Sequence, residues 1–228
     1  TSTIYSVAYG NGLWVAVGSD GKLATSSNGT SWTQRTSSFS TTSINSVAYG
    51  NELWVAVGSS GKLATSSNGT SWTQQTSSFG TSTIYSVAYG NGLWVAVGSD
   101  GKLATSSNGT SWTQRTSSFS TTSINSVAYG NELWVAVGSS GKLATSSNGT
   151  SWTQQTSSFG TSTIYSVAYG NGLWVAVGSD GKLATSSNGT SWTQRTSSFE
   201  TTDIVRALAY SDNIWVAVGD NGKLAILS

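Results

Sequence analysis

Two residue classes in this 228-residue chain are spaced regularly enough to suggest chemistry: carboxylates and tryptophans. Asp20, Asp100 and Asp180 recur every eighty positions, and Glu52 and Glu132 alternate with them. Glycosidic cleavage needs two carboxyl groups flanking one bond, one as acid and one as base or nucleophile. Here each carboxylate stands alone in a turn, and the repetition distributes them instead of gathering them in one cleft. Arg35, Arg115 and Arg195 follow the same period and do not form a cluster. The chain has no His and no Cys, which removes imidazole and thiolate metal ligands, cysteine nucleophiles and a Ser-His-Asp relay. Calcium would need several clustered oxygen ligands. The turn Gly18-Ser19-Asp20-Gly21 brings one carboxylate, and Ser60 replaces it in alternate copies. The expectation is a chain with no catalytic residues, no metal and no cofactor.

Tryptophan offers more. Trp32, Trp72, Trp112, Trp152 and Trp192 each follow an Asn by four positions: Asn28, Asn68, Asn108, Asn148 and Asn188. An exposed indole can stack on the apolar face of a sugar while amides and hydroxyls bond its rim. Five weak sites of this kind would gain strength by multivalency. The same residues have a structural reading, since an indole is highly buried on average and Asn-Gly is a turn former. Each Asn-Gly-Thr is also an N-glycosylation sequon. Six further tryptophans (Trp14, Trp54, Trp94, Trp134, Trp174 and Trp215) lie in apolar runs and are expected in the core.

The charge balance is slight: 10 Lys+Arg against 9 Asp+Glu, a net charge of +1, with only 8% of residues charged. That leaves no electrostatic footprint for nucleic acid. No apolar run exceeds the five residues from Leu13 to Val17, so neither a membrane-spanning helix nor a signal-type apolar segment is expected. A chain without Cys suits either redox compartment. A low charge with abundant Gly, Ser and Thr would be compatible with disorder, but 11 Trp, 9 Tyr and 5 Phe supply the apolar surface that a fold requires.

These residues are positioned by a repeat. Residues 1–40 recur letter for letter at 81–120, and again at 161–200 except that Glu200 replaces Ser40. Residues 41–80 and 121–160 are identical to each other. They differ from the odd copies at positions that include Tyr5/Asn45, Gly12/Glu52, Asp20/Ser60 and Arg35/Gln75. The higher-order unit is thus a pair of blocks, and a sixth block, 201–228, has drifted.

Each full block reads as four short strands: Ile4 to Tyr9, Leu13 to Val17, Lys22 to Ser26 and Ser31 to Thr36. Turn chemistry separates them at Gly10-Asn11-Gly12, Gly18–Gly21 and Ser27–Thr30, and a longer link follows from Ser37 to Ser43. The second strand is apolar on both faces, Leu13, Val15 and Val17 on one and Trp14 and Ala16 on the other. A one-sided sheet would alternate apolar with polar, so this strand must be covered twice. Radially stacked four-stranded blades achieve that. The expected fold is all-β: a six-bladed β-propeller of four-stranded antiparallel blades. The blades fall at about 1–40, 41–80, 81–120, 121–160, 161–200 and 201–228, forming one domain over 1–228. The sixth block supplies only three strands, Ile204 to Tyr210, Ile214 to Val218 and Lys223 to Leu227, and Ile226 and Leu227 make its edge more apolar than Thr25 and Ser26 make the first.

The segment Ser26-Ser27-Asn28-Gly29-Thr30-Ser31-Trp32, repeated at Ser66–Trp72, Ser106–Trp112, Ser146–Trp152 and Ser186–Trp192, resembles the Asp-box. That is the Ser-x-Asp-x-Gly-x-x-Trp hairpin of sialidase-like, BNR-type propellers. Asn stands here for Asp, and the loop is one residue shorter. The resemblance implies a hairpin between the third and fourth strands, with the indole packed under it.

The function read from the sequence is a non-catalytic repeat propeller, a structural or interaction scaffold engineered or recently amplified from a blade pair. The alternative is a multivalent lectin using the Trp and Asn positions named above, with glycans as partners. No partner is required by the first reading, and a monomer is favoured over a strand-exchanged dimer.

Overall fold

The computed structural model describes residues 2–227, the side chain of Leu227 excepted, so the expectation that Leu227 makes the last edge apolar lies outside the described residues. Blade one consists of β1 (Ile4–Gly10), β2 (Leu13–Gly18), β3 (Leu23–Ser26) and β4 (Thr33–Arg35), paired in that order and antiparallel throughout. The same sheet recurs in blades two to five. Blade six has three strands, Val205–Ser211, Ile214–Gly219 and Leu224–Leu227. The fold is therefore the six-bladed β-propeller expected, with a three-stranded last blade. The fourth strand is shorter than the sequence suggests, because Ser31 and Trp32 belong to the preceding turn. The step from β2 to β3 is a single turn over Ser19–Gly21.

The chain divides into two compact units, Thr1–Arg115 and Thr116–Ser228, each holding three blades. Within the first, the face of β2 and β3 carrying Val15, Val17 and Leu23 packs on Val47, Trp54, Ala56 and Ala64 of blade two. Blades two and three repeat the contact, as do blades four and five in the second unit. Double coverage buries the second strand almost completely: Val55, Ala56 and Val57 are 0% exposed. Trp14 departs from its copies. It is only half-buried, whereas Trp54, Trp94, Trp134 and Trp174 are fully buried.

Three devices position one blade on the next. Phe39, in the link between blades, inserts into the core between blades one and two and is 1% exposed. The sequence reading treated this link as a connection only. Lys62 Nζ then donates to the Phe39 carbonyl at 2.9 Å, and Lys102, Lys142 and Lys182 do the same to Phe79, Phe119 and Phe159. Finally, the ring of Tyr49 lies directly on Gly10, where a Cβ would stand 2.2 Å from it. Only glycine allows that approach.

The first strand carries a bulge: Ile4 pairs with Gly18 and Ser6 with Val17, leaving Tyr5 as the extra residue. The β1–β2 turn is a two-residue hairpin with Asn11 at φ 49° and Gly12 at φ 74°, the left-handed pair that such a turn requires. In even blocks Glu52 and Glu132 hold φ 59° at the glycine position, where a side chain meets the following carbonyl at roughly 1 kcal/mol per residue. Replacing both by the odd-block residue, Glu52→Gly and Glu132→Gly, should therefore stabilise the chain by about 1–2 kcal/mol in total. The check is the urea midpoint at constant slope.

Candidate functional site

The repeated hairpin between β3 and β4 is built around Ser26 and Asn28. The Ser26 hydroxyl is buried at 3% exposure and accepts from the backbone N–H of Asn28 and of Gly29, at 3.3 and 2.9 Å. It donates to Asn28 Oδ1 at 3.1 Å. The same Oδ1 accepts from the N–H groups of Thr30 and Ser31 at 3.0 and 2.9 Å. One side chain thus satisfies two backbone donors that a tight turn would otherwise leave unpaired. Gly29 adopts φ 75°. Trp32 closes the loop by donating its indole N–H to the Gly29 carbonyl at 3.1 Å, and all five copies keep this bond at 2.9 to 3.1 Å.

The five tryptophans are not equivalent. Trp32 is 41% exposed, while Trp72, Trp112, Trp152 and Trp192 are half-buried. Trp72 packs on the Val15–Leu23 cluster of blade one, Trp112 on the matching cluster of blade two and Trp192 on that of blade four. Asn28, Asn68, Asn108, Asn148 and Asn188 sit beside their own indoles, and each Oδ1 is engaged by the turn. The sequence brings these residues together, but the indole N–H and the amide oxygen are both occupied within the hairpin.

The carboxylates stay apart. Asp20 accepts from the Ser2 and Ser19 hydroxyls at 3.2 and 3.1 Å, and Asp100 from Ser82 at 2.8 Å, all on the exposed surface. Arg35 and Arg115 Nε donate to the Thr25 and Thr105 hydroxyls of the adjoining strand at 2.9 Å. In even blocks Gln75 and Gln155 make the same bond to Thr65 and Thr145, so the Arg/Gln alternation changes charge without changing the partner. Among the described residues, no three carboxylates lie close enough to hold a metal ion. None of their helices is long and apolar enough to cross a membrane.

The role of one variable position emerges only in the structure. The Tyr5/Asn45 site is the bulged residue of the first strand, and Asn45 and Asn125 use it to donate across to the Ile84 and Ile164 carbonyls of the next blade at 2.9 Å. In blade six Arg206 occupies it. The guanidinium lies 5.0 Å from the Tyr165 ring centroid and pairs with both oxygens of Asp220, at 2.8 and 2.9 Å. The signal in the sequence was the alternation itself, which marks a site the fold does not restrict to one residue type.

Blade six also exchanges its lysine contact. Lys223 donates to both oxygens of Asp203, at 2.8 and 2.7 Å, and the Asp203 carboxylate also accepts from the Glu200 N–H at 2.8 Å. The Lys223 ammonium, with that N–H, holds the Asp203 carboxyl below the usual carboxylate range, and Arg206 lowers Asp220. A depressed folded pKa stabilises above the unfolded value and is lost as pH falls through the folded one. Acid below about pH 4 should therefore loosen blade six before blade five. Amide exchange resolved by blade is the measurement. Asp203→Asn should raise exchange in blade six at neutral pH and flatten its acid dependence.

Set against known structures, the chain has the backbone of β-propellers at low identity. It resembles the computationally designed Ika8 protein at 14% identity and a TM-score of 0.74, over 98% of this chain and 70% of that one. It matches YCF48 bound to D1 peptide at 20% identity and a TM-score of 0.77, over 99% and 77%. Virginiamycin B lyase from Staphylococcus aureus aligns at 8% identity and a TM-score of 0.84, over 98% and 83%. At these identities the likeness shows the fold alone. No curated protein matches significantly. Residues 116–228, the span of the second unit, match the family model described as the DUF6242 beta propeller domain.

Proposed function

We propose that this chain is a non-catalytic propeller scaffold, engineered or recently amplified from one blade pair, with an Asp-box-type turn in five of its blades. The observation that carries this reading is the internal use of the repeated Asn, Arg and Gln side chains. Asn28 and its copies serve their own turns, the arginines and glutamines serve the neighbouring strand, and the carboxylates lie singly on exposed turns. No two of those groups converge on a reacting atom, which general acid–base or nucleophilic chemistry requires. Letter-for-letter identity between blocks fits repetition for architecture, because blades with separate tasks diverge. Ika8 is a designed protein and YCF48 carries a bound peptide, which supports a scaffold reading by analogy of fold. Virginiamycin B lyase shares the fold, but at 8% identity no residue role passes from it to this chain.

A panel of immobilised glycans tests this against the lectin alternative. The expected result is no saturable binding at millimolar sugar, with light scattering giving one chain of 23.5 kDa. Trp112→Ala should cost about 3 kcal/mol or more, since the indole covers the blade-two cluster. Sugar binding that Trp112→Ala abolishes without loss of fold would overturn the scaffold reading in favour of a lectin.

A further inference from the structure

Blade five meets blade six as blade one meets blade two, with one part missing. Between blades one and two, the hairpin turn of blade two closes over Leu13: a Cβ on Gly69 would stand 2.6 Å from Leu13 Cδ2. Trp72 of the same hairpin covers the cluster of Val15 and Leu23. Gly109 sits on Leu53 and Gly189 on Leu133 in the same way. Among the described residues, blade six has no fourth strand, and no tryptophan from a hairpin covers Leu173. What remains is a cavity of about 550 Å3 whose apolar wall is formed by Leu173, Val175, Leu183, Trp215 and Ile226, with Arg195 at its rim. Thr185 registers the loss: it is half-buried, whereas Thr25 and Thr105 are 2% exposed.

We propose that this cavity, together with the outer edge of Leu224–Leu227, binds an extended peptide carrying a tryptophan and, three positions later, an aliphatic residue. The strand adds antiparallel to the sheet edge by main-chain bonding, and the indole fills the cavity. Register follows from blade one, where Leu23, Ala24 and Thr25 pair with Arg35, Gln34 and Thr33. Carried to blade six, the same three places fall opposite Leu224, Ala225 and Ile226. The aliphatic requirement comes from the exchange of Thr25 for Ile226. Arg35 bonds the Thr25 hydroxyl, and Ile226 has none to accept. Leu224 and Ile226 are 61% and 67% exposed, so an apolar side chain at that place gains their surface instead. Trp72, Trp112 and Trp192 show that a Trp-bearing hairpin fits such a place, which identifies the occupant by its chemistry.

The probe is a labelled synthetic peptide, Ser-Ser-Asn-Gly-Thr-Ser-Trp-Thr-Gln-Val-Thr, titrated into the full chain and followed by anisotropy. Saturable binding is expected, weakened about tenfold or more when the peptide tryptophan becomes alanine, and severalfold when its valine becomes arginine. Amide exchange should slow at Ala225 to Leu227. Leu173→Lys should weaken binding by about tenfold with an unchanged near-ultraviolet spectrum. No saturation at millimolar peptide, equal binding of the alanine peptide, or protection confined to other strands would overturn the proposal. So would a dimer that the peptide fails to dissociate, since a second copy would then own the site.

Discussion

Coverage of the second strand on both faces is the constraint from which the rest of the structure follows. A strand reading Leu-Trp-Val-Ala-Val has no face to give to water, so each blade is stable only as a neighbour. The contact is made close by Gly10, which lets the Tyr49 ring lie on bare backbone. It is filled from the link by Phe39 and fastened by the Lys62 ammonium on the Phe39 carbonyl. The lysine adds a charge-assisted bond to a carbonyl that also accepts the Thr42 N–H at 3.0 Å, so one charge from each of blades two to five is placed at a junction.

Blade six departs from this scheme in a consistent direction. Ala207 stands where Ser6 accepts the Val47 N–H of the following blade, and Ser211 stands where Gly10 receives a tyrosine ring. The groups by which other blades receive a successor are absent from its outer face. In exchange it holds two ion pairs, Asp203–Lys223 and Arg206–Asp220, which have no counterpart among the described residues of the identical blocks. Blade six therefore adds ion pairs to a buried core of its own, and the lowered carboxyls of Asp203 and Asp220 tie part of its stability to pH.

The period, the four strands, the two-faced second strand and the short sixth block were all legible in the sequence, because each rests on local patterning and turn chemistry. The hairpin from Ser26 to Trp32 was legible as a turn, and its Asn-Gly step predicts the positive φ at Gly29. Phe39 was not legible. The phenylalanine recurs every forty residues, but alone among Ser and Thr it has no strand or helix alternation to mark a buried face, and its burial depends on where the next blade lies. The bulge at Tyr5 was hidden for the same reason, since pairing register is a property of two strands and not of one. The differing exposure of Trp32 and Trp72 could not be read from identical sequence at all. It arises from what each blade has on its preceding side.

The equivalence of junctions has a genetic reading. The contact from blade one to two and the contact from blade four to five use corresponding side chains, Val15, Val17, Leu23, Phe39, Trp54 in one and Val135, Val137, Leu143, Phe159, Trp174 in the other. An unequal recombination that removed or inserted one eighty-residue pair would leave the contact types at the remaining junctions unchanged. Selection on local packing is blind to such an event. The packing at these junctions therefore carries no record of how many pairs the chain holds, whereas the sixth block differs from the others in both sequence and contacts.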